Sequence, residues 1–351
     1  VSIKGLANLK YWTYRDVLQK PVEIPRSLII VGGGPVGCEI GQAFQNLGSR
    51  VTIVAPRILP KEPEAVQQAM TDILVNETGI NVVTGKVREV LRRIPGEATV
   101  LLEDGRYYVA SQLLVAGGRS PNIRDLGLSN AGVKFSAQGI ITNSNCRTSS
   151  RNIFAAGDCC ENSNRYSHYA AWQAFVATKN ALLPWWLRGG LGNKEVLVPR
   201  VTYTKPEVAA VGYSLQECEQ YYGANGRQWY SIKVPNSYLD RSVAEGEYTG
   251  GFVEVYIHSN GKVLGASIIS NRAGELISEV AIAIQNKLDV KALATTLHPY
   301  PSYSAALQKI WVDAAARNLL VNLTSNPIAG AFAFLMSVFN KGKREQATRS
   351  Q

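Results

Sequence analysis

A run of glycines between two apolar strands constrains the fold of this chain more than any other feature. Residues 28–31 form a continuous apolar run, as expected of a strand that is buried on both faces. The turn GGGPVG (32–37) follows it, and apolar residues then recur at helical intervals as far as Leu47. The segment VTIV (51–54), rich in β-branched residues, predicts the next strand. This order predicts a β-α-β unit, and therefore an α/β domain built on a parallel sheet.

The spacing of the glycines is that of a turn that binds a pyrophosphate. Gly32 allows the tight turn, Gly34 lets the backbone approach the phosphates, and Gly37 lets the helix pack closely on the strand. The N-terminus of the helix also attracts phosphates, because its backbone N–H groups point at them. Glycine-rich turns are common, but the complete strand–turn–helix–strand context predicts dinucleotide binding. The predicted contacts in this turn are Gly32, Gly34, Pro35, Val36 and Gly37.

The end of the second strand bears on the choice between NAD and NADP. In NAD-binding proteins, an acidic residue at this position hydrogen-bonds the adenosine ribose. Here Ala55 holds the acidic position, and Arg57 follows two residues later. The strand end offers no carboxylate to repel a 2′-phosphate, and the Arg57 guanidinium could pair with one. The sequence therefore mildly favours NADP, and an ordinary surface role for Arg57 is the alternative.

The basic composition does not by itself indicate a nucleic-acid partner. The 351 residues include 37 Lys and Arg against 27 Asp and Glu, which gives a net charge of +10. The basic residues are scattered and form no nucleic-acid-binding motif, so anionic dinucleotides or a basic solvated surface explain the charge more simply. We therefore expect no nucleic acid among the partners of this protein.

The five cysteines do not follow the pattern of a secreted disulfide framework or of a zinc site. They are odd in number and irregularly spaced, and no metal site is predicted from them. A disulfide between the adjacent Cys159 and Cys160 would be strained, so two thiols are expected there. This pattern favours a reducing compartment. No apolar run reaches the length of about 18–20 residues that a membrane span requires.

Six sequence blocks occur in a fixed order along the chain. Together they resemble the flavin-dependent pyridine nucleotide-disulfide oxidoreductases, and most of all the branch of mercuric reductase and dihydrolipoyl dehydrogenase. The resemblance extends over residues 1–320, and the conjunction of blocks is far more specific than any one of them. The blocks are VGGGPVGCEIGQAFQNLGSRVTIV (31–54), LLVAGGRSPNI (113–123), NIFAAGDCC (152–160), YTKPEVAAVGYS (203–214), LDRSVAEGEYTGGFVEVYI (239–257) and HPYPSYS (298–304).

The resemblance implies a Rossmann-like FAD- and NAD(P)-binding domain followed by an α+β dimerisation domain, and hence a homodimer. In the family, the nicotinamide domain interrupts the flavin domain. This chain begins inside that pattern, so we expect it to lack the first flavin fold and the C-x-x-x-x-C redox pair. The expected domains are a linker stub (1–25), the NAD(P)-binding domain (26–145), the returning flavin segment (146–195), the dimerisation domain (196–320) and an amphipathic, basic tail (321–351).

Local patterns predict further elements. Residues 82–105 alternate around Pro95-Gly96, which is typical of antiparallel strands. Asn260-Gly261 lies between two apolar segments and predicts a hairpin. Residues 275–288 have helical spacing.

The tail places four apolar residues on one helical face, and a basic end follows. We expect a helix that packs on the dimer, or alternatively a helix that makes weak contact with a membrane surface. The residues on this face are Ile328, Phe332, Leu335 and Phe339.

Carried over residue by residue, the resemblance assigns further cofactor contacts. Val87 and Gly118 would line the adenosine and nicotinamide sides of the dinucleotide. Gly157 and Asp158 match the flavin motif of the family, in which the aspartate binds a ribityl hydroxyl, and a carboxylate can accept such a bond. His168 falls where the family contacts the edge of the flavin ring. The alternatives are an ordinary Gly-Asp turn and a core histidine.

The motif HPYPSYS departs from the family pattern. Related hairpins carry a His-Pro-x-x-x-Glu pair, in which the glutamate orients the histidine that moves protons at the redox thiols. Aligned on Pro301, the histidine position holds Tyr300 and the glutamate position holds Ala305. In the other alignment His298 is the base, and Tyr303 at the glutamate spacing leaves no carboxylate to orient it. Tyr300 is therefore the expected catalytic residue, and His298 is the alternative.

A tyrosine in that position changes the expected chemistry. Its ordinary pKa near 10 makes it a poor base for a thiol at neutral pH. It could hydrogen-bond an acceptor or ligate a metal near the flavin, which suits a mercuric reductase-like site better than a dithiol site. The alternative is an interface tyrosine without a chemical role.

Two functions remain open on the sequence. The first is an enzyme that moves a hydride from NAD(P)H through FAD to a disulfide, a metal ion or another acceptor. The second is a catalytically inactive, nucleotide-binding and dimerising homologue or fragment. The resemblance favours the enzyme for the parent protein. These 351 residues alone are expected to bind FAD weakly, because Asp158 supplies only one side of the pocket.

Overall fold

The chain folds into two compact units in the computed structural model, Val1–Thr204 and Lys205–Gln351. The five-part division proposed above is finer than this and stays a prediction. The structure describes residues 3–19, 21–92, 96–161, 163–188, 197–226, 228–246 and 250–325.

The predicted β-α-β unit is present in the first unit and opens its parallel sheet. The strand, helix and second strand all lie where the apolar periodicity placed them. The elements described in this unit are α1 (Tyr14–Gln19), β1 (Ser27–Val31), α2 (Pro35–Asn46), β2 (Arg50–Ala55), α3 (Glu64–Asn76), β3 (Asn81–Thr84), β4 (Val87–Leu91), β5 (Ala98–Leu102), β6 (Tyr107–Ala110), β7 (Gln112–Val115), β8 (Phe135–Ser136), β9 (Gly139–Ile140), α4 (Ser167–Leu182) and β10 (Arg200–Thr202).

The parallel sheet has the strand order β3–β2–β1–β7 in the described residues. Ile30 of β1 lies opposite Ile53 of β2 on one side and Leu114 of β7 on the other, and all three side chains are fully buried. The chain builds the sheet outward from β1 to β3 and then returns to the other side of β1. Such a reversal opens a crevice at the carboxyl ends of the strands, where ligands bind in open α/β sheets.

A second, antiparallel layer follows β3. β4 pairs with β5, with Val90 opposite Val100, as the alternation around Pro95-Gly96 predicted; Pro95 itself lies outside the described residues. The prediction was wrong for the start of the segment, because β3 pairs with β2 in parallel. The physical reason is helix α3, which connects β2 to β3 as a crossover and returns the chain to the same end of the sheet.

The N-terminal segment, expected to be a linker stub, packs on the first unit. Leu6 is buried in the core. The Trp12 N–H donates to Leu113 O (2.7 Å), and the Val115 N–H donates to Trp12 O (2.8 Å). These bonds satisfy the outer edge of β7, so residues 3–12 belong to the sheet-bearing unit.

The second unit is α+β, as the resemblance implied. Its sheet contains the antiparallel order β11–β14–β13–β12. The hairpin at Asn260-Gly261 and the helix predicted over 275–288 are confirmed as the β13–β14 turn and α7. The described elements are β11 (Glu207–Gly212), α5 (Leu215–Tyr222), β12 (Trp229–Pro235), α6 (Asp240–Ala244), β13 (Phe252–His258), β14 (Val263–Ser270), α7 (Ala273–Gln285), α8 (Val290–Ala294) and α9 (Ala305–Ser325).

The predicted tail helix lies outside the described residues, and its packing stays a prediction. No helix within the described ranges is long and apolar enough to cross a membrane. The four residues of its apolar face are Ile328, Phe332, Leu335 and Phe339.

The parallel sheet should dominate the stability of the first unit. We expect Leu114→Ala to lower the free energy of unfolding by about 2–5 kcal/mol, because it leaves a cavity at a fully buried position. Leu126→Ala is the matched control, since Leu126 is 57% exposed and should change stability little. Chemical denaturation of both variants measures the difference. Equal effects of the two substitutions would contradict the burial of β7 in the core of the first unit.

Candidate functional site

The glycine-rich turn at the end of β1 has two kinds of glycine. Gly32 has φ +128°, and a Cβ there would lie 2.6 Å from Ala116 O. A Cβ on Gly37 would lie 1.9 Å from Gly32 O, so these two positions need glycine for the fold itself. Gly34 is different, because its φ is −76° and a Cβ would meet no atom within 4 Å. The packing of the unit does not explain a glycine at position 34, whereas the approach of a ligand does.

The turn has the shape and polarity of a cradle for a dinucleotide pyrophosphate. Gly34 is the N-cap of α2 and makes no side-chain cap hydrogen bond, while Pro35 stands at the first helical position. The N-terminal N–H groups of an α-helix have no partner inside the helix and carry a partial positive charge. The cradle therefore fits an anionic diphosphate at the carboxyl end of the parallel sheet.

Arg57 lies in the loop that closes against this turn. The Leu59 N–H donates to Gly33 O (2.7 Å), which brings the loop after β2 onto the glycines. The Arg57 side chain is exposed, and Ala55 is buried at the strand end. The Arg57 guanidinium is thus accessible to an anion beside the turn, and the NADP preference stays a prediction.

Gly118 and Val87 have different surroundings. Gly118 follows β7 with φ +133°, and a Cβ there would meet no atom within 4 Å. Like Gly34, it is therefore a glycine with free space around its Cα at the carboxyl end of the sheet. Val87 begins β4 and packs against the buried cluster that contains Val83 and Leu102. Its side chain thus has a packing role, and a contact with the adenosine stays a prediction.

The predicted flavin aspartate lies in a well-defined turn. The Gly157 N–H donates to Gln173 Oε1 on α4 (2.8 Å), and Gly157 has φ +81°. Asp158 keeps a 44% exposed side chain, and its Oδ2 lies 3.0 Å from Arg119 Nη1. Arg119 also donates to the Arg165 carbonyl. The carboxylate is accessible to a hydroxyl donor, and an ion pair between exposed groups is weak enough to be exchanged.

His168 is exposed at the start of α4, so it is not a core histidine. Its Nε2 lies 2.9 Å from Pro199 O, and its ring stacks on Tyr166 with a centroid distance of 5.4 Å. Because a carbonyl oxygen only accepts, Nε2 carries the hydrogen in this arrangement. The contact with the flavin edge stays a prediction.

Tyr300 is an exposed tyrosine on the surface of the second unit. Its side chain is 76% exposed, and its hydroxyl donates to the Asp240 carboxylate. This hydrogen bond raises the pKa of Tyr300, because the phenolate would face a second negative charge. At neutral pH, Tyr300 is therefore even less often deprotonated than an ordinary tyrosine and is not available as a base.

His298 has an orienting carboxylate, and the expectation that it has none was wrong. Its Nε2 lies 3.1 and 3.0 Å from the two oxygens of Glu279 on α7, and its Nδ1 lies 3.1 Å from Thr296 O. The Trp311 indole N–H donates to Glu279 Oε1 (2.7 Å), which fixes the carboxylate. Glu279 stands 19 residues before His298, so spacing within the hairpin could not reveal it.

Both ring nitrogens of His298 have oxygen partners within the second unit. Nε2 faces the Glu279 carboxylate and Nδ1 faces the Thr296 carbonyl, and both of these groups accept hydrogen bonds. The imidazole side chain is only 7% exposed. His298 therefore has the geometry of a structural residue of the hairpin and not of a base facing a substrate.

A third carboxylate completes the support of the hairpin. The Tyr303 hydroxyl donates to Glu245 Oε2 (2.8 Å), and this bond lowers the pKa of Glu245. The rings of His298, Tyr300 and Tyr303 are thus each held by an acidic residue from elsewhere in the second unit. Sequence reasoning missed these acids because they lie on other elements.

Comparison with known families decides the affiliation of the chain. Residues 3–174 match the profile of the pyridine nucleotide-disulphide oxidoreductases, and residues 198–310 match the dimerisation domain of the same family. The chain belongs to this family. The predicted affiliation is therefore confirmed, and so is the α/β fold with a following α+β dimerisation domain. Members of the pyridine nucleotide-disulphide oxidoreductases in general depend on FAD and NAD(P).

Curated relatives include both branches that the sequence suggested. The mercuric reductase of Acidithiobacillus ferrooxidans is 35% identical over 302 residues, which are 85% of this chain and 52% of that protein. The mercuric reductase of Staphylococcus aureus is 30% identical over 323 residues, 88% of this chain and 55% of that protein. The dihydrolipoyl dehydrogenase of Chlamydia muridarum is 32% identical over 301 residues, 84% and 60% of the two chains. This chain spans 48–61% of the length of such relatives.

Solved structures of the family share the fold. LpdA from Mycobacterium tuberculosis is 29% identical, with a TM-score of 0.74 over 86% of this chain and 64% of that one. The HOCl-induced flavoprotein disulfide reductase RclA from Escherichia coli has a TM-score of 0.78 over 89% and 70% of the two chains. Its identity is 22%, so it supports the fold alone.

The two kinds of glycine can be separated by experiment. We expect Gly37→Val to abolish dinucleotide binding and to destabilise the first unit, because its side chain would collide with Gly32 O. Gly34→Ala should leave the unfolding transition unchanged, because a Cβ there meets no protein atom, and yet weaken binding at least about tenfold by blocking the phosphates. Calorimetric titration with NADPH and NADH, together with thermal unfolding, measures both effects.

The Gly34→Ala variant is the decisive one because its fold should be intact. Unchanged affinity of this variant for both nucleotides would contradict the assignment of the cradle. A loss of stability in Gly34→Ala would show instead that position 34 has a packing role.

Proposed function

We propose that this chain is part of an NAD(P)H-dependent flavoprotein oxidoreductase whose electron acceptor is a metal ion and not a disulfide. The observation that carries the proposal is that both ring nitrogens of His298 face oxygen atoms of its own unit, Thr296 O and the Glu279 carboxylate, so that neither nitrogen faces a thiol. Membership of the family and the similarity to mercuric reductases support the same function.

The nicotinamide dinucleotide would lie across the carboxyl end of the parallel sheet. Gly34 and the N-terminus of α2 would hold its pyrophosphate, and Arg57 would meet the adenosine end. Gly118, an open glycine after β7, would leave room for the nicotinamide end. When bound, the nicotinamide supplies a hydride.

Asp158 would accept a hydrogen bond from a sugar hydroxyl of the flavin. Its exposed carboxylate and its exchangeable pairing with Arg119 suit that role. His168 presents a ring nitrogen as a donor near the same turn. When bound, the flavin accepts the hydride and passes electrons onward.

The hairpin of the second unit suits a cation better than a dithiol. Reduction of a disulfide needs a group that takes and returns protons at the thiols, and neither Tyr300 nor His298 is free to do so. The Tyr300 hydroxyl and the Asp240 carboxylate together present oxygen atoms that can face a positive charge. Several relatives of this chain are mercuric reductases, whose name refers to a metal ion, and this supports a metal ion as the acceptor.

The second unit would also form the interface of a homodimer. It carries the dimerisation domain of the family over residues 198–310. Exposed apolar side chains on its surface, among them Ile282 (58% exposed) and Leu297 (90% exposed), would be covered in such a dimer.

The choice of nucleotide has a direct test. We expect Arg57→Glu to weaken NADPH binding more than NADH binding, because the guanidinium would no longer pair with the 2′-phosphate and a carboxylate would repel it. Arg50→Glu, at the exposed start of the same strand, is the matched control and should affect both nucleotides equally. The measurement is calorimetric titration of each variant. If Arg57→Glu changes both affinities by the same factor, Arg57 is an ordinary surface residue.

The acceptor is tested on the complete protein that contains this chain. We expect NADPH-dependent reduction of Hg²⁺, and turnover of dihydrolipoamide or glutathione disulfide far below the typical enzyme value of about 10 per second. Tyr300→Phe should lower the rate of the metal step while flavin content and flavin reduction by NADPH stay unchanged. Tyr238→Phe, a 73% exposed tyrosine of the same unit, is the control and should leave every rate unchanged.

Two outcomes would contradict this proposal. Disulfide turnover near the typical enzyme rate would show that the hairpin supports dithiol chemistry. A complete protein without flavin absorbance would support the inactive, nucleotide-binding alternative.

A further inference from the structure

Two adjacent thiols follow Asp158 and take no part in the function proposed above. Cys159 ends the helical turn Gly157–Cys159 and is partly exposed, whereas Cys160 is 1% exposed. Both are free thiols in the structure. The Cys159 Sγ lies 3.2 Å from Ala156 O, a contact that the thiol form makes as donor.

The two sulfurs have opposite acid–base properties. A hydrogen bond from Cys160 lowers the pKa of Cys159 to about 6, so deprotonation gives up the bond to Ala156 and keeps the one from Cys160. The same hydrogen bond and burial raise the pKa of Cys160, which therefore stays a thiol. Burial also raises the pKa of Cys38 and of Cys218 to about 12. An accessible thiolate beside a protonated thiol is the arrangement that reacts with oxidants.

We propose that Cys159 is a site of oxidation by hydroperoxides, with Cys160 as the resolving thiol. The Cys159 thiolate attacks one peroxide oxygen, the O–O bond breaks, and the sulfur becomes a sulfenic acid while the second oxygen leaves as hydroxide or alkoxide. Once Cys159 is a sulfenic acid, its thiolate no longer raises the pKa of Cys160. The Cys160 sulfur then attacks the sulfenic sulfur as it loses its proton, an S–S bond forms, and the sulfenic hydroxyl leaves with that proton as water. The two thiols together lose two electrons, and the peroxide gains them.

The geometry of the turn couples this bond to Asp158. The Cys160 N–H donates to Gly157 O (3.0 Å) and closes the turn that holds the aspartate. The Glu161 N–H donates to Ile140 O (2.9 Å) and anchors the chain just after it. A disulfide between neighbouring residues distorts the peptide that joins them. Its formation should therefore break the turn and displace the Asp158 carboxylate.

A strained disulfide of this kind is easily reduced by small-molecule thiols, which makes the modification reversible. Oxidation would then lower flavin affinity, a consequence that rests on the role of Asp158 proposed above. The thiol chemistry itself does not depend on that role. The two parts of the inference can thus fail separately.

The first experiment reads the thiols directly, without flavin or activity. The 351-residue chain is treated with one equivalent of hydrogen peroxide, and its cysteine peptides are examined by mass spectrometry. We expect the peptide with Cys159 and Cys160 to lose two hydrogen atoms, and iodoacetamide at pH 7 to alkylate Cys159 at least about tenfold faster than Cys218. In Cys160→Ser, dimedone should trap a sulfenic acid on Cys159, and Cys159→Ser should show neither product.

Cys218→Ser is the matched control, because it removes a buried thiol from the other unit and should react as the unaltered chain does. The proposal is overturned if Cys159 and Cys218 are alkylated at equal rates, if Cys160→Ser gives no trapped sulfenic acid, or if the new bond joins Cys160 to the buried Cys146 instead.

A second experiment tests the coupling in the flavin-loaded complete protein. We expect peroxide to raise the dissociation constant for FAD in the unaltered protein and dithiothreitol to restore it, while Cys159→Ser keeps one value under both conditions. Disulfide formation without a change in FAD affinity would refute the coupling alone. Failure to bind FAD at all would refute the flavin assignment and leave the thiol result standing.

Discussion

The first unit depends on one close approach, that of helix α2 to strand β1. With a Cβ on Gly37 only 1.9 Å from Gly32 O, no other side chain can occupy that position without separating helix and strand. The same approach brings the N-terminus of α2 to the carboxyl end of the sheet. The packing requirement and the phosphate cradle are therefore two consequences of one contact, and Gly34 is the position that packing leaves open for a ligand.

The second unit is organised around a different kind of contact, in which acidic side chains hold the rings of the C-terminal hairpin. Glu279 fixes His298, and Trp311 fixes Glu279 in turn. Such a chain of hydrogen bonds stabilises one orientation of the hairpin, because each partner is satisfied only in that arrangement. The histidine therefore has a structural role, whereas the Tyr300 ring lies at the surface.

Periodicity alone was sufficient to predict β1, α2, β2 and α7, because a buried apolar face leaves a local pattern that repeats along the chain. Periodicity did not predict the pairing of β3. This strand pairs with β2 in parallel because the crossover helix α3 connects the two strands. Periodicity also described the N-terminal segment as a linker, because the pairing of Trp12 with the edge of β7 leaves no mark in the spacing of residues.

The sequence by itself determined the family, the fold class and the glycine-rich turn, because glycine spacing and block order are local and specific. It also predicted, in one of two alignments of the hairpin, that Tyr300 stands at the histidine position of the family. Only the tertiary structure decided what surrounds these residues: Glu279 beside His298, Asp240 beside Tyr300, and Arg119 beside Asp158. These partners lie 19, 60 and 39 residues away, so folding alone brings these side chains together.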